Sequence, residues 1–437
     1  MEKITYYTGE SINLQEVINS DHFIKSDESL ILCDLTDVVT KVHLWRTLIP
    51  RVTPFYAVKC NDSYPILRVL NELKIGFDCA SKGEIEKVLE LGCQSERIIY
   101  AHPNKPQSHL NFAKQMGVYT MTFDGDYELY KIKKHFPEAS LVLRFRCEAK
   151  KALLPLGKKF GCDPNTEAPR LMKLAKDLNL NIVGISFHVG SDCLDFPIYE
   201  EAIAQARTLI DLGNSMGFDM KVLDIGGGFP GEHNSLFIEA SKVVSAAVDK
   251  YFPNDDVMLM AEPGRYFVSS SMIVLTKIQS KREVINDKGQ VEEMMYFLND
   301  GAFGTFNQVV QLGDVYPAIP KLLKTKSMEN SPLYKSSIWG PTCDSSDVLC
   351  KDYYMPNLNI GDPILFEDFG AYTLPFMTNF NGFEKAKIMY FIHKHFKPQM
   401  EREEENAKLL STCNMQSKKY MKVIQFVEEN RQFVGLI

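Results

Sequence analysis

Pro54-Phe55-Tyr56-Ala57-Val58-Lys59-Cys60-Asn61 runs from apolar and aromatic residues into a single lysine, then at once into small polar ones. A run of that shape reads as a buried strand whose last residues emerge at a strand end. A lysine held there by apolar walls loses hydration. That lowers its pKa and frees a neutral amine to attack carbonyls. An isolated lysine at a strand end more often snorkels to solvent, so the weight falls on what accompanies Lys59 elsewhere in the chain.

Similar apolar runs lie on either side, at residues 30–35, 75–81, 98–101, 119–123, 141–145, 182–189, 222–226 and 257–261. Between them are amphipathic stretches with helical spacing, such as residues 84–91 and 168–178. Strands alternating with helices predict a parallel sheet, and eight or so such units favour closure into a (β/α)8 barrel. Barrels of this kind carry their chemistry at the C-terminal ends of the strands. The distinctive residues fall there: Lys59, Asp78, Arg144, His188, Gly226, Gly227, Gly228 and Glu262.

Beyond residue 268 the runs at 272–278, 294–298, 336–339, 363–366 and 388–392 lack intervening helices. That pattern predicts a mostly antiparallel β-sheet domain, which the β-prone residues 4–7 are expected to join. The expected division is 1–28 as an N-terminal strand and helix, 29–267 as the barrel, 268–395 as the sheet domain and 396–437 as a charged tail without assigned function.

The chain of 437 residues is 45% apolar, enough for full cores. A net charge of −7 is mild for this length and argues against a general nucleic-acid or membrane-surface binder. Ten cysteines occur without CxxC pairs or zinc-like spacing, which speaks against a disulfide framework and against a metal site. With no signal-peptide pattern at Met1-Glu2-Lys3-Ile4-Thr5 and no long apolar run, a cytoplasmic protein is expected.

Asp224-Ile225-Gly226-Gly227-Gly228-Phe229-Pro230-Gly231 follows a strand; its glycines expose N–H groups that can approach a phosphate closely. Ala261-Glu262-Pro263-Gly264-Arg265 ends the next strand with a carboxylate, a forced turn and a guanidinium suited to phosphate. Phe187-His188-Val189-Gly190-Ser191 sets an imidazole near a hydroxyl. Trp339-Gly340-Pro341-Thr342-Cys343-Asp344 and Gly370-Ala371-Tyr372-Thr373 lie in the sheet region, where each alone could be packing.

Together, PFYAVKCN, FDCAS, SFHVGS, LDIGGGFPG, AEPGR, IWGPTCD and GAYT resemble the eukaryotic ornithine decarboxylases, fold type III pyridoxal-phosphate enzymes, over residues 28–395. The resemblance implies that Lys59 holds pyridoxal phosphate as an imine and that Glu262 pairs with the pyridine nitrogen. It implies that His188 stacks on the ring, with Asp78, Glu84 and Arg144 as polar support. The phosphate would be held by Ser191, Gly227, Gly228 and the stretch Glu262, Pro263, Gly264 and Arg265, with Tyr372 reaching it from the partner subunit. Cys343 would return a proton to the substrate α-carbon, and Asp344 would bind the distal amino group. Both would come from the opposite chain of a homodimer.

One departure stands out. Where the family has a Tyr-Asp pair that meets the distal ammonium of ornithine, a gapless reading puts Gln311 and Leu312. Losing that charge-assisted contact costs roughly 1.5–3 kcal/mol. Asp314, two residues on, is the alternative carboxylate. Three functions follow in order: decarboxylation of ornithine to putrescine; the same chemistry on lysine or another amino acid; and an inactive antizyme-binding regulator. Antizyme inhibitors have lost several cofactor-site residues, whereas this chain keeps Asp78, Arg144, Arg265, Ser191 and Cys343. Residues 101–137 correspond to the family's antizyme-binding region. Lys105, Lys114, Lys131, Lys133 and Lys134 make that region basic, which suits an acidic partner.

Overall fold

Eight short strands close into a parallel barrel, the last pairing back onto the first. In chain order they are Val52–Ala57, Gly76–Cys79, Ile98–Tyr100, Thr120–Phe123, Ser140–Arg144, Asn181–Ser186, Val222–Asp224 and Met258–Ala261. The structure is a computed structural model and describes residues 3–147, 152–154, 159–232, 234–312, 316–323 and 331–396. All eight barrel strands coincide with apolar runs of the sequence, and the helices between them begin where the local chemistry dictates. Helix Lys82–Glu90 starts at Ser81, whose hydroxyl accepts the Glu84 N–H, while the Glu84 carboxylate reaches back to the Ala80 N–H. Helix Tyr64–Glu72 carries Pro65 in its first turn, where no intrahelical N–H is needed.

Leu30–Asp34 does not belong to the barrel. It pairs in parallel with Lys387–His393 and antiparallel with Met272–Ile285, so the expectation of a barrel starting at residue 29 is corrected. A fully buried apolar strand followed by helix Leu35–Leu48 looks, in sequence, like one more βα unit. The sheet runs Ile4–Tyr7, Lys387–His393, Leu30–Asp34, Met272–Ile285, Val291–Leu298, Leu333–Trp339, Val348–Pro356. Pro363–Phe366 joins it through Met272–Ile285 and in turn pairs with Lys321–Leu322. Most of the pairings are antiparallel, and Ile4–Tyr7 does return to the sheet, as expected.

Helix Leu35–Leu48 ties the two parts together. Its Trp45 is fully buried and packs on Phe229 at 4.9 Å, Phe237 at 5.4 Å and Tyr266 at 5.4 Å between ring centroids. Phe229 belongs to the glycine loop and Tyr266 follows Arg265. One aromatic cluster therefore braces both loops that shape the barrel mouth. The Lys41 ammonium donates to the Gly231 carbonyl, and the Tyr266 hydroxyl donates to the Lys41 carbonyl at 2.9 Å. Among the described residues no helix is long and apolar enough to cross a membrane, and no cluster of metal-ligating side chains occurs.

Candidate active site

Side chains two residues apart on a strand share a face, and this parity builds the site. Phe55, Ile99, Val142 and Met260 form a buried cluster inside the barrel. Gly76 leaves room for it, since a Cβ there would come within 2.5 Å of the Phe55 ring. Two residues on, at the C-terminal strand ends, Ala57, Ala101, Arg144 and Glu262 line a cavity of about 540 Å³. The apolar layer is the floor, and everything above it is the mouth.

Lys59 sits on a single 3₁₀ turn, Val58–Cys60, that leaves the first strand. Its Nζ contacts Asp78 Oδ2; Asp78 is wholly buried and its Oδ1 has no partner. The Lys59 side chain is 42% exposed, through the cavity. Here the sequence expectation reverses: burial does pull the Lys59 pKa down, but Asp78, Tyr372 and Glu262 outweigh it and the net shift is upward. In this arrangement Lys59 is an ammonium ion-paired to Asp78, and it must give up a proton before it can attack a carbonyl.

Across the mouth, Glu262 is buried and its Oε1 has no partner. Burial, with repulsion from Asp224 and Asp78, raises its pKa well above the usual carboxylate range. Asp224 is fully buried, accepts the Gly226 N–H at 2.9 Å and is pushed by burial to about 7. Two desolvated carboxyl groups that interact cannot both ionise, so the pair retains a proton. His188 lines the same wall; its Nδ1 accepts the Gly190 N–H at 3.0 Å, and burial, then Arg144 and Lys59, hold its pKa well below 6.5. It is a neutral ring with its proton on Nε2.

The other end of the cavity is a cup of Ser191, Gly227, Gly228, Gly264 and Arg265. Gly228 has φ +99°, a left-handed conformation that favours glycine, and a Cβ there would meet the Gly190 carbonyl at 2.5 Å. The Arg265 guanidinium is 5% exposed and lies over the rings of Tyr316 at 4.2 Å and Tyr372 at 5.4 Å. Its Nε is 2.9 Å from Asp192 Oδ2 and its Nη1 3.5 Å from Glu232 Oε1.

Most of the expected site residues converge here, and two placements differ. Tyr372 lines the cavity of its own chain, its N–H donating to the Cys60 carbonyl at 2.8 Å, so it need not come from a partner subunit. Glu84 does not reach the cavity wall: its carboxylate is used by the Ala80 N–H at the start of helix Lys82–Glu90. Pro263 contributes its carbonyl, which accepts the Ala57 N–H at 3.2 Å. Leu312 lines the outer cavity beside Gln308, on the short helix Asn307–Leu312 that also carries Gln311. Asp314 lies outside the described residues. Cys343 and Asp344 stand on an exposed loop away from their own chain's cavity. There the Ser346 hydroxyl and N–H hold the Asp344 carboxyl below its usual range.

The basic surface expected over residues 101–137 is smaller than its lysine count. Lys105 is buried and ion-paired to Glu128 at 2.9 Å, Lys131 pairs with the same glutamate at 2.5 Å, and Lys114 pairs with Glu138 at 2.8 Å. Lys133 and Lys134 remain exposed.

Comparison with known proteins agrees with this geometry. Residues 35–269 match the family described as pyridoxal-dependent decarboxylase, pyridoxal binding domain. Ornithine decarboxylase 2 of Drosophila melanogaster is 44% identical over 391 residues, covering 89% of this chain and 98% of that one. The chain belongs to the eukaryotic ornithine decarboxylase family of fold type III. Antizyme inhibitor 2 of Xenopus laevis is 42% identical, with 86% of this chain and 84% of that one covered. The solved arginine decarboxylase of Paramecium bursaria Chlorella virus, bound to agmatine, superposes with a TM-score of 0.81 at 34% identity, covering 87% and 99% of the two chains. This protein is thus a pyridoxal-phosphate-dependent decarboxylase of a basic amino acid.

The residues present fit that cofactor. Lys59 offers the amine, the unpartnered Glu262 Oε1 offers an acceptor for a ring N–H, and the glycine cup offers backbone donors free of Cβ atoms. Asp192, Tyr316, Phe160, His102, Gln308 and Asp224 were missed as site residues in the sequence. Asp224 and Asp192 were visible as neighbours of the LDIGGG and FHVGS motifs; the others had no local signal.

The Asp224 pKa of about 7 has a measurable consequence. Its ordinary value is 3.8, so the folded protein keeps a proton there that the unfolded chain has shed. The stability tied to that proton is complete below about pH 4 and is lost as pH rises through 7. In urea unfolding of cofactor-free protein, Asp224→Asn should therefore gain roughly 1–3 kcal/mol on the wild type between pH 4 and 8. Parallel pH profiles would contradict the raised pKa.

Proposed function

We propose that this chain is a cytoplasmic homodimeric decarboxylase that converts L-ornithine to putrescine. The observation that carries the reading is Lys59 ion-paired to Asp78 in a barrel mouth that also holds Glu262 and the glycine cup. When bound, the cofactor supplies an electron sink for the pair left at the substrate α-carbon as CO2 departs. The rest belongs to the chain. Asp78 holds the Lys59 ammonium in place by its ion pair, and Glu262 presents a carboxyl group with a free oxygen facing the sink. His188, uncharged and walled in, excludes water without adding a competing cation. All nine cysteines among the described residues are free thiols, as suits a reducing compartment.

Cys343 and Asp344 are too exposed to act in their own cavity, so the reading assigns them to the neighbouring subunit's site. Asp344 then arrives as an ionised carboxylate for the distal ammonium, and Cys343 as the proton donor to the α-carbon. Mixing inactive Lys59→Ala with inactive Cys343→Ala should restore about one quarter of wild-type activity, because random exchange leaves one intact site in each mixed dimer. A mixture that stays inactive after verified subunit exchange would contradict shared sites.

Leu312 favours a second reading, in which the distal pocket accepts lysine or another side chain as well as ornithine. A panel of ornithine, lysine, arginine and leucine, followed by CO2 release, separates the two. Ornithine should be turned over with the highest kcat/KM, and Leu312→Asp should lower its KM by about tenfold or more. Preference for another substrate would overturn the ornithine assignment, and an unchanged KM would show that a different group already meets the ammonium. The likeness to an antizyme inhibitor supports antizyme as a partner, through the exposed Lys133 and Lys134.

A further inference from the structure

The guanidinium at the base of the glycine cup is already occupied by the protein itself. Asp192 is 5% exposed and lines the cavity. Its Oδ2 lies 2.9 Å from Arg265 Nε and accepts the Tyr316 hydroxyl, while its Oδ1 is buried without a partner. Glu232 approaches the same guanidinium from the glycine-loop side at 3.5 Å, and its carboxylate is itself bonded by the Ser269 hydroxyl and the Gly231 N–H. One buried cation therefore faces two carboxylates before any ligand enters. Asp192 also has φ +43°, a left-handed conformation strained for most side chains and free for glycine.

A phosphate monoester carries about −1.5 to −2 charges near pH 7. To lie on Arg265, beside Gly227 and Gly228, it must either displace Asp192 or share the guanidinium with it. Repulsion in a buried, weakly screened cup opposes sharing. Displacement leaves Asp192 to find new partners for both of its oxygens.

We propose that Asp192 is an internal competitor for the phosphate group of the cofactor, so that this chain holds pyridoxal phosphate weakly and exchanges it with the free pool. The proposal rests on the decarboxylase reading above. It adds that the degree of loading is set by one carboxylate rather than by the amine.

The test compares cofactor-free wild type with Asp192→Gly, which suits the left-handed backbone, and Asp192→Asn, which keeps the shape without the charge. Equilibrium dialysis gives the Kd for pyridoxal phosphate and for pyridoxal, which lacks the phosphate; inorganic phosphate serves as a competitor. Both variants should bind pyridoxal phosphate about tenfold or more tightly than wild type. Pyridoxal affinity should be unchanged, and inorganic phosphate should compete more strongly in the variants. Equal pyridoxal phosphate affinities in all three proteins, with normal uptake, would overturn the proposal and leave the decarboxylase reading standing. If none of the three bound pyridoxal phosphate, both would fall.

Discussion

One ammonium ion sits among carboxylates in a mouth that water reaches only through the cavity. Lys59 contacts Asp78, while Glu262 and Asp224 stand nearby as a pair that cannot fully ionise. This constraint orders the site. Each buried carboxylate is costly unless a cation or a proton offsets it, and against Asp78, Asp224 and Glu262 the mouth sets only Lys59 and, on its wall, Arg144. The protein resolves the excess by keeping a proton on the Glu262–Asp224 pair, which leaves Asp78 as the lysine's partner. A cofactor whose ring nitrogen carries a proton would take the place of that retained proton at Glu262.

The electrostatics depend in turn on strand parity. Because the floor residues Phe55, Ile99, Val142 and Met260 fix which face of each strand points inward, the residues two places on are committed to the mouth. The Trp45 cluster then holds the glycine loop and the Arg265 turn in place from behind. Fold and chemistry meet at these few positions.

Much of this was legible in the chain. The barrel strands are short, apolar and bounded by turn residues, so the position of each of the eight followed from pattern, with one extra run, Leu30–Asp34, counted among them. The motifs at Lys59, His188, Gly226 and Glu262 marked the mouth because all lie just past strand ends. Pattern failed where partners are distant in sequence. Nothing around Lys59 reveals that Asp78 will touch it, and the direction of its pKa shift was therefore misjudged. Leu30–Asp34 mimicked a barrel strand because burial on both faces gives the same apolar run in either setting. Val348–Pro356 escaped notice because its charged and aromatic residues hide the alternation. Lys105 looked like surface charge until its pairing with Glu128 placed it in the interior. Asp192 stood next to the FHVGS motif, but a carboxylate beside a serine is ordinary until Arg265, at the start of helix Arg265–Val268, is brought against it.

The central claim is that Lys59, and no other amine, is presented to the cofactor's carbonyl. Borohydride reduction of the purified protein after incubation with pyridoxal phosphate, followed by peptide mass analysis, tests it directly. The account predicts one reduced pyridoxyl group, on the peptide containing Lys59, and none in Lys59→Arg, which keeps the charge facing Asp78 but cannot form the bond. A label on another lysine, or undiminished labelling of Lys59→Arg, would contradict it.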